Sequence, residues 1–79
     1  MDKGKEKERQ EERVARYLKG ALKQAGITYE ELATRLEDFG FRETKASIAS
    51  KLSRGSFSAT FMIAVLKAIG RESVTLLDV

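Results

Sequence analysis

One short segment of the chain, ETKASIASKLSRG at residues 43–55, gathers side chains that are able to bind a ligand. Four polar residues in it recur at the spacing of one helix face: Ser47, Ser50, Lys51 and Arg54. Serine hydroxyls hydrogen-bond to base edges or phosphates, and basic side chains neutralise phosphates or reach guanine O6 and N7. This combination is typical of a helix that lies against a nucleic acid.

Other residues of the segment would hold such a helix in place. Ile48 and Leu52 form its apolar side, and we expect them, with Ala49 beside them, to face the core. Thr44 is a good N-cap, and the free N–H groups of the first turn attract a backbone phosphate. The predicted DNA-binding residues are Arg42, Thr44, Lys45, Ser47, Ser50, Lys51 and Arg54.

A purely structural interpretation of the same segment stays open. Small polar residues are common on helix surfaces because they are harmless there. Two basic residues in a last turn, Lys51 and Arg54, stabilise the helix dipole without any ligand. The DNA hypothesis therefore depends on the coincidence of hydroxyls and cations on one face.

Composition narrows the classes of function. The 79 residues include no cysteine and no histidine, which removes disulfides, the usual zinc ligands and the usual general base. We predict no enzyme activity, no cofactor, no metal and no small-molecule ligand. The net charge is +3, and residues 1–13 hold five basic and five acidic side chains that cancel. With no apolar run long enough for a membrane, we expect a cytoplasmic protein.

The periodicity of apolar residues, together with N-capping residues and terminating glycines, predicts four helices. One apolar stripe runs from Val14 to Ala25, and the fourth helical pattern, ATFMIAVLKAI, is apolar nearly all round and therefore expected in the middle of the domain. Thr28 and Glu31 form a capping box for the second helix. A glycine follows each pattern: Gly26, Gly40, Gly55 and Gly70. Gly20 lies inside the first helix, where we expect another helix to approach closely.

The predicted architecture is an all-α, compact four-helix domain. Residues 1–13 are a charged flexible leader or a helix extension, residues 14–70 form the domain, and residues 71–79 form a C-terminal tail. The short turn at Gly40 predicts that the second and third helices form a helix-turn-helix, with residues 44–54 as the recognition helix. The β-branched and leucine-rich tail is predicted to be a short strand that pairs with a second copy.

Residues 14–70 resemble the phage-repressor-like helix-turn-helix superfamily of bacterial regulators, most clearly from Ile27 to Gly70. The pattern is carried by Thr28, Glu31, Leu32, Ala33, Ile48, Arg54, Gly55, Leu66 and Gly70. The turn from Leu36 to Thr44 is longer than in that pattern. The stretches GITYEELA, ETKASIASKLSRGSFSATF and AIG are also similar to a small bacterial domain family of unknown function. The resemblance implies a repressor-like fold.

Two functions follow as expectations. The first is a homodimeric module that binds double-stranded DNA and regulates transcription. The alternative is a protein-interaction or oligomerisation module that binds no DNA, with the tail residues Val74, Leu76, Leu77 and Val79 as its contact segment.

Overall fold

The computed structural model describes residues 3–79, which form four α-helices and two 3₁₀ turns. The α-helices are α1 (Lys3–Ala25), α2 (Tyr29–Leu36), α3 (Lys45–Arg54) and α4 (Ala59–Ala68). The 3₁₀ turns are Glu37–Phe39 and Leu76–Asp78. The prediction of an all-α, four-helix domain is confirmed over this part of the chain, with a radius of gyration of 12.6 Å.

The charged leader is part of α1 from Lys3 onward. Its Lys, Glu, Arg and Gln residues favour helix, and residues 3–10 are all exposed. Glu6 accepts a hydrogen bond from the Gln10 amide (3.2 Å) and lies 3.6 Å from the Arg9 guanidinium. Met1 and Asp2, which also belong to the predicted leader, lie outside the described residues.

Short-range signals set where the helices begin and end. The predicted capping box of α2 is present: the Glu31 N–H donates to Thr28 Oγ1 (3.1 Å), and the Thr28 N–H donates to the Glu31 carboxylate (3.4 Å). After α1, the Ile27 N–H donates back to the Leu22 carbonyl across a glycine turn (3.1 Å). These bonds satisfy backbone groups that the helix interior leaves free.

The core is built from all four helices. Its fully buried large side chains are Leu18, Leu22, Leu32, Leu36, Ile48, Leu52, Phe61 and Val65. The predicted inward orientation of Ile48 and Leu52 is confirmed, whereas Ala49 is exposed rather than part of the core. One side of α4 faces solvent, because Ile63 is 50% exposed. The helix is therefore not surrounded by the other helices, as its apolar composition had suggested.

The expectation of a close helix approach at Gly20 is wrong. No heavy atom lies within 4 Å of the position that a Gly20 Cβ would occupy, so no helix approaches there. The close approach occurs at Gly55 instead, where a Cβ would overlap the Glu11 carbonyl group of α1. This contact, together with the buried Ala15, places α1 alongside α3.

The tail, residues 71–79, is not a strand in the structure. Within residues 3–79 no segment pairs as a β-ladder, and the end of the tail turns on itself, with the Asp78 N–H donating to the Thr75 carbonyl (2.9 Å). Val74 packs against the core, and the Arg71 guanidinium donates to the Gln24 side-chain oxygen (2.7 Å). These contacts hold the tail against its own domain, so the tail does not need a partner strand to be ordered.

Candidate nucleic-acid interface

The side of α3 that points away from the core carries small side chains along most of its length and Arg54 at its C-terminal end. Successive helical residues are rotated by about 100°, so Ser50 and Ala46 lie opposite Ile48 and Leu52. The exposed small residues are Ala46, Ala49, Ser50 and Ser53, which we call the outer face. These four positions can approach another molecule closely, because their side chains are short.

Two of the predicted DNA-binding residues lie beside the outer face and are bonded within the chain. Lys51 and Ser47 are half-buried, and both reach the carboxylate of Glu43, whose side chain is only 7% exposed. The Lys51 Nζ lies 2.5 Å from Glu43 Oε2, and the Ser47 Oγ donates to Glu43 Oε1 (2.7 Å). We call this group, with Lys51 also 4.7 Å above the Phe61 ring, the Glu43 latch.

The Glu43 latch has a local structural role. It ties the turn before α3 to the side of that helix and to α4, so it stabilises the angle at which α3 leaves the turn. The Ser47 hydroxyl also accepts the Thr44 N–H (2.8 Å), while the Ser47 N–H donates to Thr44 Oγ1 (3.0 Å). Thr44 is therefore the N-cap of α3, as the sequence predicted.

The other predicted cations remain at the surface. Arg42 stands before the start of α3 and Arg54 is its last residue, and neither forms an ion pair with the described residues. Lys45 lies 3.5 Å from Glu30, but both side chains are about two-thirds or more exposed (68% and 74%), so the pair is weak and easily exchanged. Arg42, Lys45, Ser50 and Arg54 are thus accessible, whereas Ser47 and Lys51 are partly withdrawn.

The structure adds two basic residues that the sequence did not indicate. Arg16 and Lys19 of α1 line a shallow groove of about 220 Å³ together with Ser53 of the outer face. Glu12 and Ala15 complete that groove. No local pattern could have found this set, because only the packing of α1 along α3 brings it together.

The geometry defines a class: a small all-helical domain whose third helix presents a flat polar face bordered by cations. A family model described as a domain of unknown function (DUF6471) matches residues 11–74, and the chain belongs to this family. The match begins within α1 and ends at Val74 in the tail. It supplies no link to the phage-repressor-like superfamily.

Neither the curated proteins nor the solved structures contain a match to this chain. Among the helices of residues 3–79, none has both the length and the apolar character needed to cross a membrane.

Proposed function

We propose that this domain binds double-stranded DNA through α3, with α2 and α3 acting as a helix-turn-helix pair, and that it serves in transcriptional regulation. The observation that carries the proposal is the outer face of α3, whose members are all small, with an arginine at each end, Arg42 and Arg54, that forms no ion pair within residues 3–79. The fully buried Ile48 and Leu52 hold the opposite side of the helix in the core.

The dimensions suit the major groove of DNA. The ten residues of α3 span about 15 Å, and the major groove, about 12 Å wide, admits one helix. The Ser50 hydroxyl at the centre of the outer face would hydrogen-bond to a base edge, and the alanines would permit close approach. Arg42 and Arg54 would contact phosphates on either side, which fixes orientation more than sequence.

The groove between α1 and α3 extends the positive surface. Arg16 and Lys19 lie beside Ser53, so α1 would contribute phosphate contacts along one edge of the outer face. With Arg42, Lys45 and Arg54, this gives five accessible cations, whereas Lys51 is neutralised by Glu43. Glu12 is the carboxylate in the groove that opposes DNA.

The salt dependence of DNA binding tests the phosphate contacts. Affinity for a mixed-sequence duplex, measured by fluorescence anisotropy at several salt concentrations, should fall with a log–log slope of about −4.5 for five contacts. Replacing Arg42 and Arg54 by glutamine should reduce that slope by about 1.8. The matched control, Lys5→Gln with Lys67→Gln, removes the same charge elsewhere; an equal loss in both double variants would contradict the proposed interface.

A single substitution tests the centre of the outer face. Ser50→Glu places a carboxylate where DNA should lie, and because Ser50 is exposed, the fold should be unchanged. We expect at least a tenfold loss of affinity, while Ser73→Glu, the same change in the exposed tail, should cost far less. Amide shifts on adding DNA should centre on α3; shifts confined to the tail and the start of α1 would refute the assignment.

Self-association is a second candidate function, and the tail favours it. Leu76 is 82% exposed and Leu77 is 95% exposed. A cleft of about 390 Å³ elsewhere on the domain has Ile63, Leu66 and Val74 among its lining residues. The two leucines of one copy would dock in the cleft of a second copy, by side-chain packing rather than by the predicted strand pairing.

Sedimentation equilibrium tests this second candidate. The wild-type chain should form dimers as its concentration rises, while the variant Leu76→Ser with Leu77→Ser should remain a monomer with the same circular dichroism. Ser56→Ala, an exposed position outside both the two leucines and the cleft, is the control. Identical particle masses for wild type and the leucine variant would remove the tail as a dimer contact.

A further inference from the structure

A second cationic feature lies on α1 next to the groove that contains Ser53, and the two share Arg16. Arg13 and Arg16 of α1 and Arg71 of the tail line one cleft of about 380 Å³. Tyr17 and Gly20 also line it, on the same stripe of α1. The volume is in the range of pockets that hold small ligands.

The cleft has an excess of positive charge. Three guanidinium groups share it with one side-chain carboxylate, that of Asp78, which is exposed and forms no ion pair within residues 3–79. Arg71 is held in place by its bond to Gln24, which is itself a lining residue (2.7 Å). Planar guanidinium groups bind phosphate oxygens in a bidentate manner, so three of them in one cleft favour a phosphate ligand over a monovalent anion.

Gly20 is the second observation that points to a ligand. Glycine is among the least favourable residues within a helix, and packing within the domain does not require it, because a Cβ at this position would meet nothing within 4 Å. The residue is exposed and lines the same cleft as the three arginines. A glycine there leaves the helix backbone open to close approach by a bound molecule.

We propose that the arginine cleft, defined by Arg13, Arg16 and Arg71, binds a small phosphate compound that carries a diphosphate group, with Gly20 giving its phosphates room against α1. The sequence alone suggested no such ligand, because Arg71 belongs to the tail and only the fold brings it beside Arg13 and Arg16 of α1. The site does not depend on DNA binding by α3, since Arg13 and Arg71 lie outside the groove beside Ser53.

Titration with inorganic pyrophosphate, at an ionic strength held constant with chloride, tests the proposal. Saturable amide shifts are expected at Gly20 and in the turn that contains Arg71. Arg13→Gln with Arg71→Gln should weaken binding at least tenfold, whereas Lys5→Gln with Lys67→Gln should change it less than twofold. Equal affinities of the two double variants, or shifts that rise without saturation, would overturn the proposal.

Two single variants keep the test independent of folding and of DNA binding. Gly20→Ala should raise the thermal midpoint, because alanine favours helix and meets no neighbour, and yet weaken pyrophosphate binding at least fivefold. Asp78→Asn should strengthen it by removing the competing carboxylate. A Gly20→Ala protein that binds pyrophosphate as tightly as the wild type contradicts the site. Retained DNA binding would then show that only this inference, and not the proposed function, has failed.

Discussion

Replacing Gly55 by alanine tests the contact that places α1 alongside α3. Gly55 has φ of +66°, and a Cβ there would lie 2.7 Å from the Glu11 carbonyl carbon, well inside the van der Waals limit. The two nearest atoms, the Glu11 carbonyl carbon and oxygen, belong to the backbone, so no side-chain rotation can relieve the overlap. Alanine at this position must therefore either displace α1 or abandon the left-handed turn that ends α3.

The expected cost has two parts. Left-handed backbone costs a non-glycine residue about 1–2 kcal/mol, and a rigid overlap adds about 1–3 kcal/mol. A 79-residue domain has a free energy of unfolding of about 4–12 kcal/mol, so the change removes a large fraction of it. Gly26→Ala is the matched control, because its φ is +69° and no atom lies within 4 Å of the added Cβ. The free energy of unfolding of Gly26→Ala should therefore fall only by the cost of the left-handed backbone.

Thermal and urea unfolding, followed by far-ultraviolet circular dichroism, separate the two parts. Each kcal/mol lowers the midpoint of a domain of this size by about 4–8 °C, so Gly55→Ala should unfold at least about 4 °C below Gly26→Ala. Equal midpoints for the two variants would show that α1 does not press against the end of α3. In that case the groove that contains Arg16 and Lys19 would also lose its structural basis.

Two further predictions concern side-chain contacts, and urea unfolding measures both. Lys51→Met leaves the Glu43 carboxylate, which is only 7% exposed, without its cation, so the free energy of unfolding should fall by about 1–2 kcal/mol. Lys45→Met breaks an exposed ion pair and should lower it by less than about 0.5 kcal/mol. Equal losses for the two variants would argue against the Glu43 latch. Thr28→Ala removes the N-cap of α2 and should cost about 1 kcal/mol, whereas Thr34→Ala, whose hydroxyl donates to the Glu30 carbonyl within α2, should cost much less. Similar losses for the two threonines would contradict the capping assignment.

The sequence predicted the helices well because helix ends and apolar faces are determined by residues that are close together in the chain. The capping box at Thr28, the glycine turn at Gly26 and the inward position of Ile48 each depend on residues within one or two turns of the chain. The exposure of Ala49 and the burial of Glu43 depend on which helix packs beside α3 and at what height. That packing joins residues far apart in sequence, and no periodicity encodes it.

The same limit explains the candidate interface. Spacing placed Ser47 and Lys51 with Ser50 on one face, because positions three and four apart are neighbours on any helix. In the folded domain, Ser47 and Lys51 contact Glu43, and Lys51 also lies over the Phe61 ring, so that half of the face is covered. The open half is centred on Ser50. A one-dimensional pattern predicts that a polar face exists, but only the packed neighbours decide how much of it is open.

Arg16 connects the two proposed ligands, because it lines both the groove beside Ser53 and the arginine cleft. A diphosphate bound in the cleft would place negative charge at one edge of the DNA-binding surface and engage a cation that DNA would otherwise contact. If both sites bind as proposed, each ligand must therefore weaken the other. Because binding free energies are linked, the factor by which pyrophosphate lowers DNA affinity must equal the factor by which DNA lowers pyrophosphate affinity. Repulsion through solvent alone would fade as salt screens it, whereas competition for the Arg16 side chain would persist at higher salt.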